Sequence, residues 1–145
     1  MNVEDFKQLL DERKRSHPIW FELPSDRPAS QAQILEAQQA LGLQLPADYA
    51  WFLKECGGGY FALSTLYSLD SSSDFHLVEI NRAHPTIAKD HLLFSENGCG
   101  DFYGFRIENR HCPAPVEFFD HSTGQWQTSR YSGLLSFLAE VALSN

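Results

Sequence analysis

Cys99, Asp101, His111, Cys112, Asp120 and His121 fall in one short stretch of the chain, and their side chains are those from which metal centres are built. Thiolate, imidazole and carboxylate together suit Zn²⁺, so a small hydrolytic site on His111, Cys112 and Asp120 is the enzyme these residues could support. Their spacing argues against it. His111 and Cys112 are adjacent, so an extended segment would point them to opposite faces. Asp120 and His121 share that defect, and no C-x-x-C or H-x-x-x-H pairing gathers ligands. Nucleophilic chemistry has less support still. No G-x-S-x-G elbow, GxGxxG or Walker pattern occurs, and Gly57-Gly58-Gly59 follows a helical stretch instead of joining a strand to a helix. Ser71 to Ser73 read as a loop and helix cap. The expectation is no catalytic constellation, no metal and no cofactor.

Composition points the same way. The chain has 145 residues, 43% hydrophobic and 21% charged, which suits one globular domain spanning 1–145. Nineteen acidic residues against eleven Lys and Arg leave a formal net charge of −8. That sign repels phosphate backbones and anionic lipid, excludes direct nucleic-acid binding as an expectation, and favours a basic protein partner. Met1-Asn2-Val3-Glu4-Asp5 lacks the basic and apolar regions of a secretory signal, and no apolar run reaches membrane-spanning length. A cytoplasmic location is expected. Cys56, Cys99 and Cys112 are odd in number and lack C-x-x-C spacing, as for buried free thiols.

The elements that must position these residues are legible from periodicity. Residues 2–15 form a helix on Phe6, Leu9 and Leu10, with Glu4 and Asp5 at its start and Arg13, Lys14 and Arg15 at its end. A second begins at Ser30, where Ser30 and Gln33 form a capping box, and stops at Gly42. A third follows Leu45, with Pro46 in its first turn and Tyr49, Phe52, Leu53 and Cys56 on its core face; Gly57 to Gly59 stop it. Short strands are expected at 60–63, 65–69, 92–95, 102–107, 116–119 and 125–128. A short helix spans 75–83, capped by Ser73 or Asp74, and a last helix spans 132–143. Pro24 to Ser30 has linker character but is too short to separate two cores. The class is α+β: a central antiparallel-rich mixed sheet with helices packed on it.

One aromatic falls out of phase. Trp51 lies two residues from Tyr49, roughly 200° around a helix of 3.6 residues per turn. It should face solvent beside Lys54 and Glu55, and tryptophan there is the type that anchors interfaces. Trp51, Lys54 and Glu55 are therefore the candidate partner-binding residues, with packing of Trp51 on a loop or on the N-terminal helix as the competing explanation.

Three segments carry a resemblance. Leu45-Pro46-Ala47-Asp48-Tyr49-Ala50-Trp51-Phe52-Leu53 with Gly57, Gly58 and Gly59 is the first. Gly98-Cys99-Gly100-Asp101-Phe102-Tyr103-Gly104-Phe105 is the second. Pro115-Val116 with Phe118, then Trp126 and the closing Ser136-Phe137-Leu138, is the third. In this order they resemble the SUKH superfamily, which includes the yeast cell-wall synthesis regulator and many bacterial immunity proteins, across a motif-bearing region of 30–143. The resemblance implies a central sheet, no shared catalytic constellation, and binding of a protein. That partner would be a toxin, often a nuclease or deaminase, with an intracellular regulatory adaptor as the alternative. Family members usually have Asn where this chain has Gly57; both tolerate φ > 0, so the helix stop is kept. Asp101 reads as a turn residue bonding backbone.

Overall fold

The computed structural model describes residues 1–145. Five helices and six strands follow in order: α1 (Val3–Ser16), α2 (Gln31–Leu41), α3 (Ala47–Cys56), β1 (Gly59–Phe61), β2 (Ser64–Leu66), α4 (Leu77–Ala83), β3 (His91–Glu96), β4 (Phe102–Arg106), β5 (Val116–Asp120), β6 (Gln125–Thr128) and α5 (Leu134–Phe137). The strands form one sheet in the order β1-β2-β3-β4-β5-β6, and every neighbour pair is antiparallel. No helix is long and apolar enough to cross a membrane.

Local chemistry sets most boundaries. Asn2 Oδ1 accepts the Asp5 N–H at 2.8 Å and starts α1. Ser30 and Gln33 complete their capping box, with the Gln33 N–H donating to Ser30 Oγ at 3.1 Å and the Ser30 N–H to Gln33 Oε1 at 2.9 Å. Pro46 sits one position earlier than expected, as the cap of α3, where its fixed φ still serves. The expected cap of α4 is wrong: His76 occupies that position. Ser73 Oγ instead accepts the Phe75 N–H at 2.9 Å, making a tight turn that delays the helix. The last helix also departs from a uniform α-helix. After one turn its spacing widens over Leu138–Ala142, and the Leu143 N–H reaches back to the Leu138 carbonyl at 2.9 Å. Leu138, Ala142 and Leu143 are all buried.

The core lies between the sheet and helices α1, α3 and α5. Tyr49, Phe94, Phe105 and Phe137 meet there, with Phe94 and Phe105 stacked at 4.5 Å and Phe94 edge-on to Phe137 at 5.2 Å. The one hydroxyl among them is satisfied, since Tyr49 Oη donates to the Tyr67 carbonyl at 2.6 Å. The opposite face of the central strands is covered by α4 and the segment after it. There Asn81 donates to the Leu93 carbonyl at 3.0 Å and accepts the Leu93 N–H at 2.9 Å.

The segment with linker composition is a latch. Ser25 bridges Gly59, and the Asp26 N–H donates to the Gly58 carbonyl at 2.8 Å, closing the outer side of β1. The latch explains why Gly57 must lack a side chain. With φ at 83°, a Cβ there would drive into the Asp26 carbonyl. At the other edge no strand pairs beyond β6.

Candidate binding surface

The G-x-G-D turn and the β5–β6 hairpin loop meet at one end of the sheet. Asp101 Oδ1 accepts the His121 N–H at 2.9 Å and lies 2.6 Å from His121 Nδ1. Its other oxygen accepts from Asn97 Nδ2 at 2.8 Å. The backbone bond from His121 is the leading cause that holds the Asp101 carboxyl down at about 2, and the Asp101 hydrogen bond raises His121 above its ordinary value. Asp120 turns back to bond the Ser122 N–H and hydroxyl at 2.9 and 2.7 Å. Asp101 is thus the turn residue its motif suggested, binding backbone as expected.

The adjacency argument against Asp120 and His121 needs correction. Alternation holds along a strand, but His121 opens a loop, and one ligand atom each from Asp101, Asp120 and His121 lies within 4.8 Å of the others. His111 and Cys112 do not join them. His111 is exposed beside Gln44 and Arg110 at the far side of α2. Cys56 and Cys112 are half-buried, and burial pushes each thiol up to about 11. Cys99 is exposed, so not all three thiols are buried as expected.

Trp51 is half-buried, not fully exposed as expected. It lies off the core stripe, but α1 crosses that flank, and the Trp51 ring meets Phe6 edge-on at 6.0 Å and 88°. The result is a half-buried tryptophan in a groove shared with Lys7, Leu10, Lys14 and Glu55. Lys54 and Glu55 are exposed as expected, and Lys54 Nζ donates to Gln31 Oε1 at 3.1 Å. Of the motif residues, Leu45, Tyr49, Phe52, Leu53 and Phe105 are core. Pro46, Gly57 and Gly58 shape the ends of α3, whereas Gly98, Gly100 and Asp101 form the exposed turn, with half-buried Tyr103 beside it.

That turn borders a concavity no single segment discloses. About 310 Å³ is enclosed by Leu63, Phe75, Glu96, Gly98, Tyr103 and Val141, among others. Tyr60 extends the apolar surface, its ring edge-on to Phe75 at 5.5 Å. Tyr60 and Leu63 are 43% and 44% exposed. The turn presenting Leu63 is strained, because Ala62 adopts φ of 49° without being glycine. Glu96 supplies the negative edge, and Tyr67 Oη donates to it at 2.6 Å. The one available sequence signal was Tyr60-Phe61-Ala62-Leu63 itself, an apolar run too continuous for a half-exposed hairpin.

A second arrangement also escaped the sequence reading. His91 Nε2 lies 2.7 Å from Glu117 Oε1, and the His91 ring stacks on Trp126 at 3.8 Å and 3°. Trp126 Nε1 donates to the Ile87 carbonyl at 3.1 Å. Gly104 leaves the space the indole fills: a Cβ there would lie 2.7 Å from it. These groups are packed under the segment between α4 and β3, where they tie that segment to the sheet.

An antiparallel sheet backed by helices defines an α+β domain. The sequence matches the SMI1/KNR4 family (SUKH-1) over residues 28–140, and the chain belongs to that family. No curated protein matches it.

Proposed function

We propose that this protein is a non-enzymatic binding domain of the immunity type, which captures a cognate toxin inside the cell and covers its active groove. The observation that carries this reading is the concavity beside the G-x-G-D turn. Tyr60, Leu63, Phe75 and Tyr103 gather there as aromatic and aliphatic anchors around a pocket, the composition of interface hot spots. Membership of the SMI1/KNR4 family, whose SUKH relatives bind proteins, supports it. The charge of −8 supports a basic partner such as a nuclease or deaminase, because an acidic surface speeds encounter with a groove made for phosphate. Trp51, with Lys54 and Glu55, belongs to a separate flank and is a secondary contact in this reading.

The test is neutralisation. Genes adjacent to this chain's own are screened for a toxic domain, which is co-expressed with it; growth is expected to recover together with a stable complex of the two proteins. The Leu63→Asp and Tyr60→Ala double variant should fold, since both residues are exposed, yet lose about 2 kcal/mol or more of affinity. Rescue that survives this variant would move the interface elsewhere; failure of the wild-type chain to rescue would overturn the reading.

A further inference from the structure

The family match begins at residue 28, so α1 and the tight turn at Pro18–Phe21 lie before it. α1 is attached lightly for its length. Of its fourteen residues only Phe6 and Leu10 are buried, whereas α3 buries Tyr49, Phe52 and Leu53 out of ten. One hydrogen bond joins α1 to residues beyond the turn, from Arg13 Nε to the Leu143 carbonyl at 2.8 Å. Its one ion pair, between Glu12 and Arg13, is internal. Its seat is also underfilled. A groove of about 280 Å³ separates Lys7, Leu10 and Asp11 of α1 from Trp51, Glu55 and Cys56 of α3. A helix with few buried apolar groups and an incompletely packed interface belongs at the low end of local stability.

The chain around α1 lets it move as a unit. Asn2 caps its start, with Glu4 and Asp5 in the first turn and Arg13, Lys14 and Arg15 in the last, so its helical order is largely its own. Pro18 bars the helix from continuing, which places a joint at His17-Pro18. Farther on, Ser25 and Asp26 are tied to Gly59 and Gly58, so the joint can swing without opening the β1 edge. Beneath α1 lie Trp51 and Phe61, whose rings Phe6 meets at 6.0 and 6.5 Å. This face fits a helix with Phe and Leu four residues apart, because such a helix already occupies it. We propose that α1 is a hinged cover: it lifts as one body while residues 25–145 stay folded. The Trp51–Phe61 face then accepts an amphipathic helix of a protein partner that carries the same Phe–Leu spacing. The proposal goes beyond the toxin reading and makes no use of the concavity beside Leu63.

Native-state hydrogen exchange on the full chain, read by NMR through low urea, tests the cover. Amides of residues 10–16 are expected to share one rate, at least about tenfold faster than those of β3 and β4, with little dependence on urea. Trp126→Ala weakens the sheet at its other edge. It should speed the β4 amides by about a hundredfold and leave those of α1 within about threefold. Phe6→Ala should speed residues 14–16 by at least about tenfold although they lie roughly two turns away, as lifting requires and end-fraying does not. Exchange of α1 with the rate and urea slope of β4 would overturn the cover, and so would rates graded inward from the helix ends. For the face beneath, a synthetic peptide of residues 1–16 is titrated into the Phe6→Ala chain. Saturable shifts at the Trp51 indole and at Phe61 are expected, and none from the same peptide carrying Phe6→Ala. If the Phe6→Ala chain does not fold, the wild type serves, its closed cover weakening the peptide by the open fraction. Shifts that are absent, or equal for both peptides, would overturn the docking face. Neutralisation is read separately, so loss of either proposal leaves the other standing.

Discussion

The two edges of the sheet are held by different means. At β1 the strand is only three residues long, and the rest of the molecule closes over it. Asp26 bonds its outer side, and Phe61 packs among Phe6, Phe21 and Phe52 at ring distances of 6.5, 6.3 and 5.0 Å. At β6 the outer side is open, Gln125, Gln127 and Thr128 are exposed, and Trp126 alone reaches inward from the strand. A short apolar edge is made safe by covering its backbone, whereas a polar edge is fixed by one deep side chain and left exposed. The first arrangement depends on backbone fit and the second on a single ring.

The largest test of that contrast is Gly57→Ala. A Cβ at φ of 83° adds left-handed strain to a collision with the Asp26 carbonyl, so a loss of about 3–5 kcal/mol is expected in denaturant melts. A loss below about 1 kcal/mol would mean the latch yields freely and the β1 edge is no more fixed than β6. Trp126→Ala comes next, at about 3 kcal/mol, because it removes the ring over Gly104, the stack on His91 and the bond to Ile87. If only a few tenths were lost, the open edge would be held by its backbone pairing and the contrast would fail.

Trp51→Ala should cost about 2 kcal/mol, less than for a fully buried indole, through its contact with Phe6. Unchanged stability with partner affinity lost would instead make Trp51 an interface anchor. The smallest effect belongs to Asp101→Asn, next to the β6 hairpin. The NMR midpoint of His121 is expected above 6.5 in the wild type and closer to 6.5 in the variant. The sign of the stability change follows from linkage. The His121 contribution is complete below its unfolded value and is lost as pH rises through the raised folded value; that of Asp101 is present above 3.8 and lost as pH falls through about 2. Wild type and variant should therefore differ most between these limits and converge in acid, while in alkali only the His121 part of the difference is lost and the Asp101 bonds to backbone and Asn97 remain. An unmoved His121 midpoint would detach the loop from the G-x-G-D turn.

What the sequence disclosed was local. The Ser30–Gln33 box, the stop at Gly42 and the stripe of Tyr49, Phe52 and Leu53 depend on neighbours within a turn or two, and the structure keeps them all. For Trp51, helical phase fixed the direction, off the core stripe, but not what crosses there; of the two readings left open, packing on the N-terminal helix is the one the Phe6 contact matches. The concavity was illegible because Leu63, Phe75, Glu96 and Tyr103 come from four segments. The pairing of His91 with Glu117 spans 26 positions, and neither residue carries a local sign of the other. Pro24 to Ser30 was the reverse case: turn-rich composition concealed a latch whose function lies in backbone bonds, to which side-chain chemistry is blind.

The open edge also governs how the protein behaves in bulk. Gln125-Trp126-Gln127-Thr128 contains neither a charge nor a proline to turn away another strand. At neutral pH, molecules carrying −8 repel one another before their edges can meet. Near pH 5.1 that repulsion vanishes, while the row of unpaired amides and carbonyls is unchanged. Colloidal stability is thus delegated to distant carboxylates, and a concentrated solution acidified toward that point will grow strand-to-strand assemblies from β6.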